Sequence, residues 1–134
     1  MWAWLGRLRS ADSLGTRGEK LARRHLKRRG MKILASNYRA RGGEVDIIAL
    51  DPTTRAETSA ETIVFVEVKT RTSDRYTDPA SAVDNDKRRR LRKAAGQYLA
   101  SRPTDGYATR YDIVSIVIPP GQNPRINHMP GAFR

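Results

Sequence analysis

The sequence predicts one α/β domain: a mixed central β-sheet flanked by helices, in the chain order α-β-β-β-α-β. Three observations predict it. Two segments repeat apolar residues at spacings of three and four, the period of an amphipathic helix. Four shorter runs are rich in β-branched and aliphatic residues and end at Gly, Pro or Asp. The chain has 134 residues, 38% of them hydrophobic. That suits one small core, and a domain of this size buries roughly two thirds of its unfolded surface.

The elements follow in order. Residues 1–13 read as a flexible N-terminal extension, and residues 14–134 as the domain. Within the extension, Trp2, Trp4, Leu5 and Leu8 would share one face of a short helix. Leu14, Gly18, Leu21, Ala22 and Leu26 predict a helix from Leu14 to Arg29, and Gly30 suits the left-handed residue that ends it. Met31 to Tyr38 reads as a short strand, Arg41-Gly42-Gly43 as a turn, and Glu44 to Leu50 as a clear strand. Residues 51–60 are polar and read as a loop; Glu61 to Thr70 is the strongest strand in the chain. Residues 71–85 read as a second loop. A helix is predicted from about Asp86 to Ser101, with Leu91, Ala94, Ala95, Tyr98 and Leu99 as its apolar face. Tyr111 to Ile118 is the last predicted strand. The tail from Gly121 reads as irregular, tucked against the body by Ile126, Met129 and Phe133.

Composition removes several chemistries. The chain has no cysteine, hence no disulfide, thiolate zinc site, iron–sulfur cluster or cysteine nucleophile. With only His25 and His128, a multi-histidine metal site cannot form within one chain, so any metal ligands are oxygens and the metal Mg²⁺ or Mn²⁺. Twenty-six Lys and Arg against fourteen Asp and Glu leave a net charge of +12. An excess of that size points to a polyanion partner, most simply nucleic acid, with an anionic membrane surface as the competitor. No run approaches the roughly 20 apolar residues that cross a bilayer. The first residues lack the pattern of a signal peptide, and the expected location is the cytoplasm.

The two central strands hold the informative pattern. Alternation places Glu44, Asp46, Ile48 and Leu50 on one face of the first, with Val45, Ile47 and Ala49 on the other. In the second, Glu61, Ile63, Phe65, Glu67 and Lys69 share a face. A symmetric hairpin register sets Ile48 opposite Phe65, Leu50 opposite Ile63 and Asp46 opposite Glu67. Two carboxylates facing each other at the edge of a covered face repel, and burial worsens the repulsion. Either Lys69 or an oxygen-ligated divalent cation would offset that cost. A lone Glu-x-Lys on a strand is usually a solvated stripe; two acidic strands in matched register, in a basic chain, argue for a site.

These residues also carry a family likeness. Gly42-Gly43-Glu44-Val45-Asp46-Ile47-Ile48-Ala49 and Val64-Phe65-Val66-Glu67-Val68-Lys69-Thr70-Arg71 resemble the YraN-type family of small bacterial proteins. Gly15, Gly18-Glu19, Asn37-Tyr38-Arg39, Lys87, Arg110-Tyr111-Asp112-Ile113-Val114 and Ala132-Phe133 extend the resemblance over residues 14–133. That family is assigned by similarity to the PD-(D/E)XK nucleases and likened to archaeal Holliday-junction resolvases. The resemblance implies a restriction-endonuclease-like core and a Mg²⁺- or Mn²⁺-dependent endonuclease acting on structured or branched DNA. Asp46 matches the motif Asp, Glu67 and Lys69 the Glu-x-Lys, and Glu19 the acidic residue of the first helix. Val45 stands where the motif's proline would be, and Pro130-Gly131 departs from the family pattern before Ala132-Phe133.

Asp46, Glu67 and the Val68 carbonyl are the implied metal ligands, with Glu19 reaching a second metal or a metal-bound water. Lys69 would orient or deprotonate the attacking water or neutralise developing charge. Arg23, Arg24, Lys27 and Arg28 on the first helix, and Lys87, Arg89, Arg92 and Lys93 on the second, would hold the phosphate backbone. Lys87 is placed at the start of its helix, where free backbone N–H groups favour an anion. Tyr38, Tyr76 and Tyr98 read as core or turn residues rather than base-stacking ones, and His128 as a surface histidine of the tail. Action on a four-way junction would imply a homodimer. The alternative to an enzyme is a non-catalytic nucleic-acid binder on the same fold; a basic accessory protein for other proteins or ribosomal RNA is a third reading.

Overall fold

The computed structural model describes residues 13–73 and 81–134. The expected extension apart from Ser13, and Tyr76 with most of its loop, lie outside the described residues. The elements are α1 (Leu14–Arg28), β1 (Lys32–Ala40), β2 (Gly43–Asp51), a 3₁₀ turn (Pro52–Thr54), α2 (Arg55–Thr58), β3 (Thr62–Arg71), α3 (Ser81–Ala100), β4 (Ala108–Val117) and β5 (Arg125–Phe133). The strands form one mixed sheet in the order β1-β2-β3-β4-β5, antiparallel except for the parallel pair β3–β4. The α/β class and mixed sheet are as predicted. α1 packs on one face of the sheet and α3 on the other, giving three layers.

Local chemistry sets the ends of α1. The Ser13 hydroxyl caps its first turn by accepting from the Thr16 N–H at 3.1 Å. At the other end Gly30 adopts φ 88°, as predicted, and its N–H reaches the Lys27 carbonyl at 3.0 Å, while the Met31 N–H reaches Leu26 at 3.0 Å. This Schellman pair satisfies carbonyls the helix would leave bare, and it sends Met31 and Leu26 into the same core. That core lies under α1 and holds Ala22, Leu26, Ile47, Ala49, Val64, Val66, Val114 and Ile116. The second lies under α3 and holds Val45, Ile48, Ile63, Phe65, Leu91, Ala94, Ala95 and Tyr98. The hydrophobic effect acting on both faces explains why β3 is buried over seven consecutive residues, Thr62 to Val68.

Three features differ from the sequence expectation. The tail is a strand: β5 pairs with β4 from Val117–Arg125 to Tyr111–Phe133. Its apolar residues do not alternate, and Ile126 and Met129, expected to tuck the tail in, are exposed, so pattern alone hides it. α3 starts at Ser81, five residues before the expected Asp86, because the poor helix formers of the Asp84-Asn85-Asp86 run weaken the helical signal in the sequence. Lys87 therefore lies in the second turn and does not meet the free N–H groups of a helix start. The loop at 51–60 contains a 3₁₀ turn and the single-turn α2.

A candidate acidic site between two helices

The hairpin register is as predicted where it is apolar: Ile48 pairs with Phe65 and Leu50 with Ile63. The pairing stops at Ile47–Val66, one step short of Asp46 and Glu67. There the alternation of β1 and β2 breaks. Ala35 and Tyr38 pack on the α3 side although three residues apart, and so do Val45 and Ile48. Val45 is thus on the face opposite Ile47 and Ala49, which corrects the expected grouping. The break sits at Asn37, whose φ of 51° is in the left-handed region, and at Asp46 in the neighbouring strand. Asparagine adopts that conformation more readily than most residues.

The break re-aims Asp46 along the sheet. Its Oδ2 accepts the Val68 N–H at 2.8 Å, a bond that replaces the missing ladder contact. Asn37 Nδ2 donates to Glu19 Oε2 at 3.2 Å and draws α1 toward the same point. Gly18 makes that approach feasible: a Cβ there would lie 1.8 Å from Thr70 Oγ1 and 2.8 Å from Thr70 Cβ on β3. On the other side of the sheet Gly43 performs the same service for α3, since a Cβ would lie 2.0 Å from the Arg90 carbonyl oxygen. The two helices thus converge on the C-terminal end of β3, with Glu19 on one and Lys87 on the other.

Glu67 is the centre of this end. Its side chain is 0% exposed, and neither carboxylate oxygen has a hydrogen-bond partner. Lys87 Nζ stands 3.4 Å from Oε1. Burial raises the Asp46 carboxyl above its ordinary value. The Val68 N–H and the Lys87 charge pull it down, and Glu19 and Glu44 push it up again. Asp46 therefore feels the charges of Lys87, Glu19 and Glu44, and Lys87 in turn pairs with Glu67. Lys69 lies two residues beyond Glu67 on β3 and is half-buried.

A buried carboxylate with orphaned oxygens suits a hard cation, and oxygen donors suit Mg²⁺ or Mn²⁺. Among the described residues, no three acidic or histidine side chains converge tightly enough to cage an ion by themselves. An ion held by Glu67 and Asp46 would keep part of its water shell, as Mg²⁺ commonly does.

The basic residues form two separate surfaces. Lys20, Arg23, Arg24, Lys27 and Arg28 line a shallow depression on the outer side of α1, away from the core face of Ala22 and Leu26. Arg89, Arg92 and Lys93 are exposed on α3, while Leu91, Ala94, Ala95 and Tyr98 are buried, as the spacing predicted. Tyr38 and Tyr98 pack edge to face at 5.3 Å, with the Arg102 guanidinium 4.1 Å from the Tyr98 ring, so both serve the core rather than an open stacking platform.

Sequence reasoning missed a buried polar network elsewhere on the sheet, around Asp112 of β4. His128, expected on the surface, has a side chain only 4% exposed, and its Nε2 lies 2.8 Å from Asp112 Oδ2. Asp112 also accepts two bonds from Arg110, at 2.8 and 3.0 Å, and the Gly131 N–H at 3.0 Å. Burial alone would raise the Asp112 carboxyl, but the bonds from His128, Arg110 and Gly131 hold it below its ordinary value. Gly131, with φ 61°, turns its N–H inward at the bulge where β5 meets Asp112, so the Pro130-Gly131 departure docks the tail. The alternating Arg110-x-Asp112 was the available signal.

Comparison with known proteins places these residues in a wider set. Residues 18–116 match the model of a family described as "Uncharacterised protein family UPF0102". A UPF0102 protein of Geobacter metallireducens is 47% identical over 121 residues, 90% of this chain and 92% of the relative. One of Mycobacterium ulcerans is 46% identical over 118 residues, covering 88% and 92%. One of Nocardia farcinica is 41% identical over 129 residues, covering 96% and 95%. The likeness carried by the hairpin motifs is to this same family.

Proposed function

The chain belongs to the UPF0102 family, and from the geometry of its acidic site we propose that it is a cytoplasmic, Mg²⁺- or Mn²⁺-dependent endonuclease for structured or branched DNA. The observation that carries this reading is Glu67: a fully buried carboxylate, one strand over from Asp46, whose oxygens have no hydrogen bond among the described residues and only the Lys87 ammonium at 3.4 Å, in a chain of net charge +12. Such a carboxylate costs several kcal/mol (roughly) unless a cation compensates it. A divalent ion in this place supplies an activated water and neutralises the charge that develops on the phosphate.

The chain's own residues divide the remaining work. The Val68 N–H fixes Asp46; Asp46, Glu67 and the Val68 carbonyl would hold the ion. Asn37 holds Glu19 at the flank, where its carboxylate would help to hold the ion and its water. Lys69 would orient the attacking water or neutralise the charge that develops on the phosphate. The basic surfaces of α1 and α3, on opposite faces of the sheet, grip separate stretches of phosphate backbone, which favours a branched over a straight substrate. A two-fold dimer would present two such sites to a four-way junction.

Cleavage of single-stranded, duplex, flap and four-way DNA with Mn²⁺ or Mg²⁺, run beside Glu67→Ala, tests the proposal. Metal-dependent cutting by the natural chain and none by the variant is expected. If the natural chain cuts none of these substrates, the proposal fails. The absence of a three-residue cage among the described residues favours a second reading, a non-catalytic nucleic-acid binder on the same fold. In that case binding persists without cleavage.

A further inference from the structure

We propose that Lys87 is an internal counter-ion of the acidic site, occupying the cation position and leaving it when a divalent ion binds. The identity of that ion rests on the proposed function; the role of Lys87 as occupant rests on the geometry. Lys87 was expected among the phosphate-binding residues, but its environment differs from theirs. Arg89, Arg92 and Lys93 are exposed on α3, whereas the Lys87 ammonium reaches inward to 3.4 Å from Glu67 Oε1. The Glu67 side chain is sealed from solvent, with no hydrogen bond to either oxygen. Leu91, one turn later and 2% exposed, anchors α3 against the sheet and fixes where the Lys87 stem begins.

The pair is asymmetric in a way that suits exchange. Glu67 cannot move to water, but Lys87 is 42% exposed, and its flexible stem lets the ammonium swing outward at little cost. Its charge also acts on Asp46, so one ammonium serves two carboxylates, as a shared divalent ion would. A cation and an ammonium cannot both occupy the place beside Oε1. Ion uptake therefore displaces Lys87, and the freed ammonium is left at the rim of the site, available to a phosphate. A structural ion pair alone would not be displaced.

The test is Mn²⁺ binding to the full chain, measured by calorimetry for the natural protein, Lys87→Gln, Lys87→Met and Lys87→Arg. Competition predicts that both neutral variants bind Mn²⁺ about fivefold or more tightly than the natural chain. Lys87→Arg should retain the natural affinity, because it keeps the charge. Thermal melting without metal confirms that each variant is folded, and two neutral variants guard against the failure of one. Equal or weaker Mn²⁺ binding by the folded neutral variants would overturn the role of Lys87 and leave the metal-site reading standing. If neither the natural chain nor the variants bind Mn²⁺, both are overturned.

Discussion

Replacing Glu67 by glutamine should make the metal-free protein more stable while abolishing its response to divalent ions. The side chain is 0% exposed, has no hydrogen bond to either oxygen, and is compensated by a lysine ammonium at 3.4 Å that is itself partly in water. Taking a carboxylate into such a place costs several kcal/mol, and one imperfect pair recovers only part of it. Glutamine keeps the volume and removes the charge, while its amide still lacks partners and retains a polar penalty of roughly 1–3 kcal/mol. The net gain is about 1–3 kcal/mol at pH 7. For a chain of 134 residues, with about 3–4 °C per kcal/mol, Tm should rise by roughly 3–12 °C without metal. In 5–10 mM Mn²⁺ the natural chain should gain stability by mass action and the variant should not. Differential scanning fluorimetry with and without Mn²⁺ reads both effects. A metal-free Tm below that of the natural chain would refute the reasoning, since it would mean that the carboxylate charge is satisfied in the folded protein.

Three further outcomes follow from other contacts. Gly43→Ala forces the Arg90 carbonyl away from a Cβ built 2.0 Å from it and should cost at least about 2 kcal/mol in urea unfolding; Gly18→Ala should cost about 1–3 kcal/mol, part of which Thr70→Ala restores. Asp112→Asn should destabilise by roughly 3 kcal/mol, because it removes the charge that binds Arg110 and His128 in a buried network. Its folded pKa is lowered, so its stabilisation is fully present above the ordinary carboxylate value near 3.8 and is lost as pH falls through the folded value; below about pH 4 the natural chain should lose stability more steeply than the variant. Neutralising Arg24, Lys27 and Arg28 together should weaken binding to any DNA sequence and flatten the log–log salt dependence by about 2–3 in slope, measured by fluorescence anisotropy between 50 and 200 mM salt (roughly).

Much of this was legible because it rests on short-range rules. Gly30 ends α1 as a left-handed glycine must, and the apolar parity of β2 and β3 places Ile48 beside Phe65. The spacing of Leu91, Ala94, Ala95 and Tyr98 marks the buried face of α3. What escaped depends on partners distant in the chain. β5 is held by pairing to β4 and by Gly131 and His128 bonding to Asp112, with most of its own residues exposed. The flip of Val45 requires Asn37 in the adjacent strand to enter the left-handed region at the same level. Lys87 read as one cation among several on a basic helix, and its inward reach appears only when α3 is laid on β3.

By itself, then, the sequence determined the class of fold, the basic character of both helices, and the nomination of Glu19, Asp46, Glu67 and Lys69. Periodicity, glycine conformation and charge are properties of neighbours in the chain. Only the tertiary structure decided how those groups meet: Asp46 bound to the Val68 N–H, Glu19 held by Asn37, and Glu67 sealed from water with Lys87 beside it. The reason is physical. A carboxylate's chemistry is set by its desolvation and by the charges within a few ångströms, and both arise when separate segments pack together.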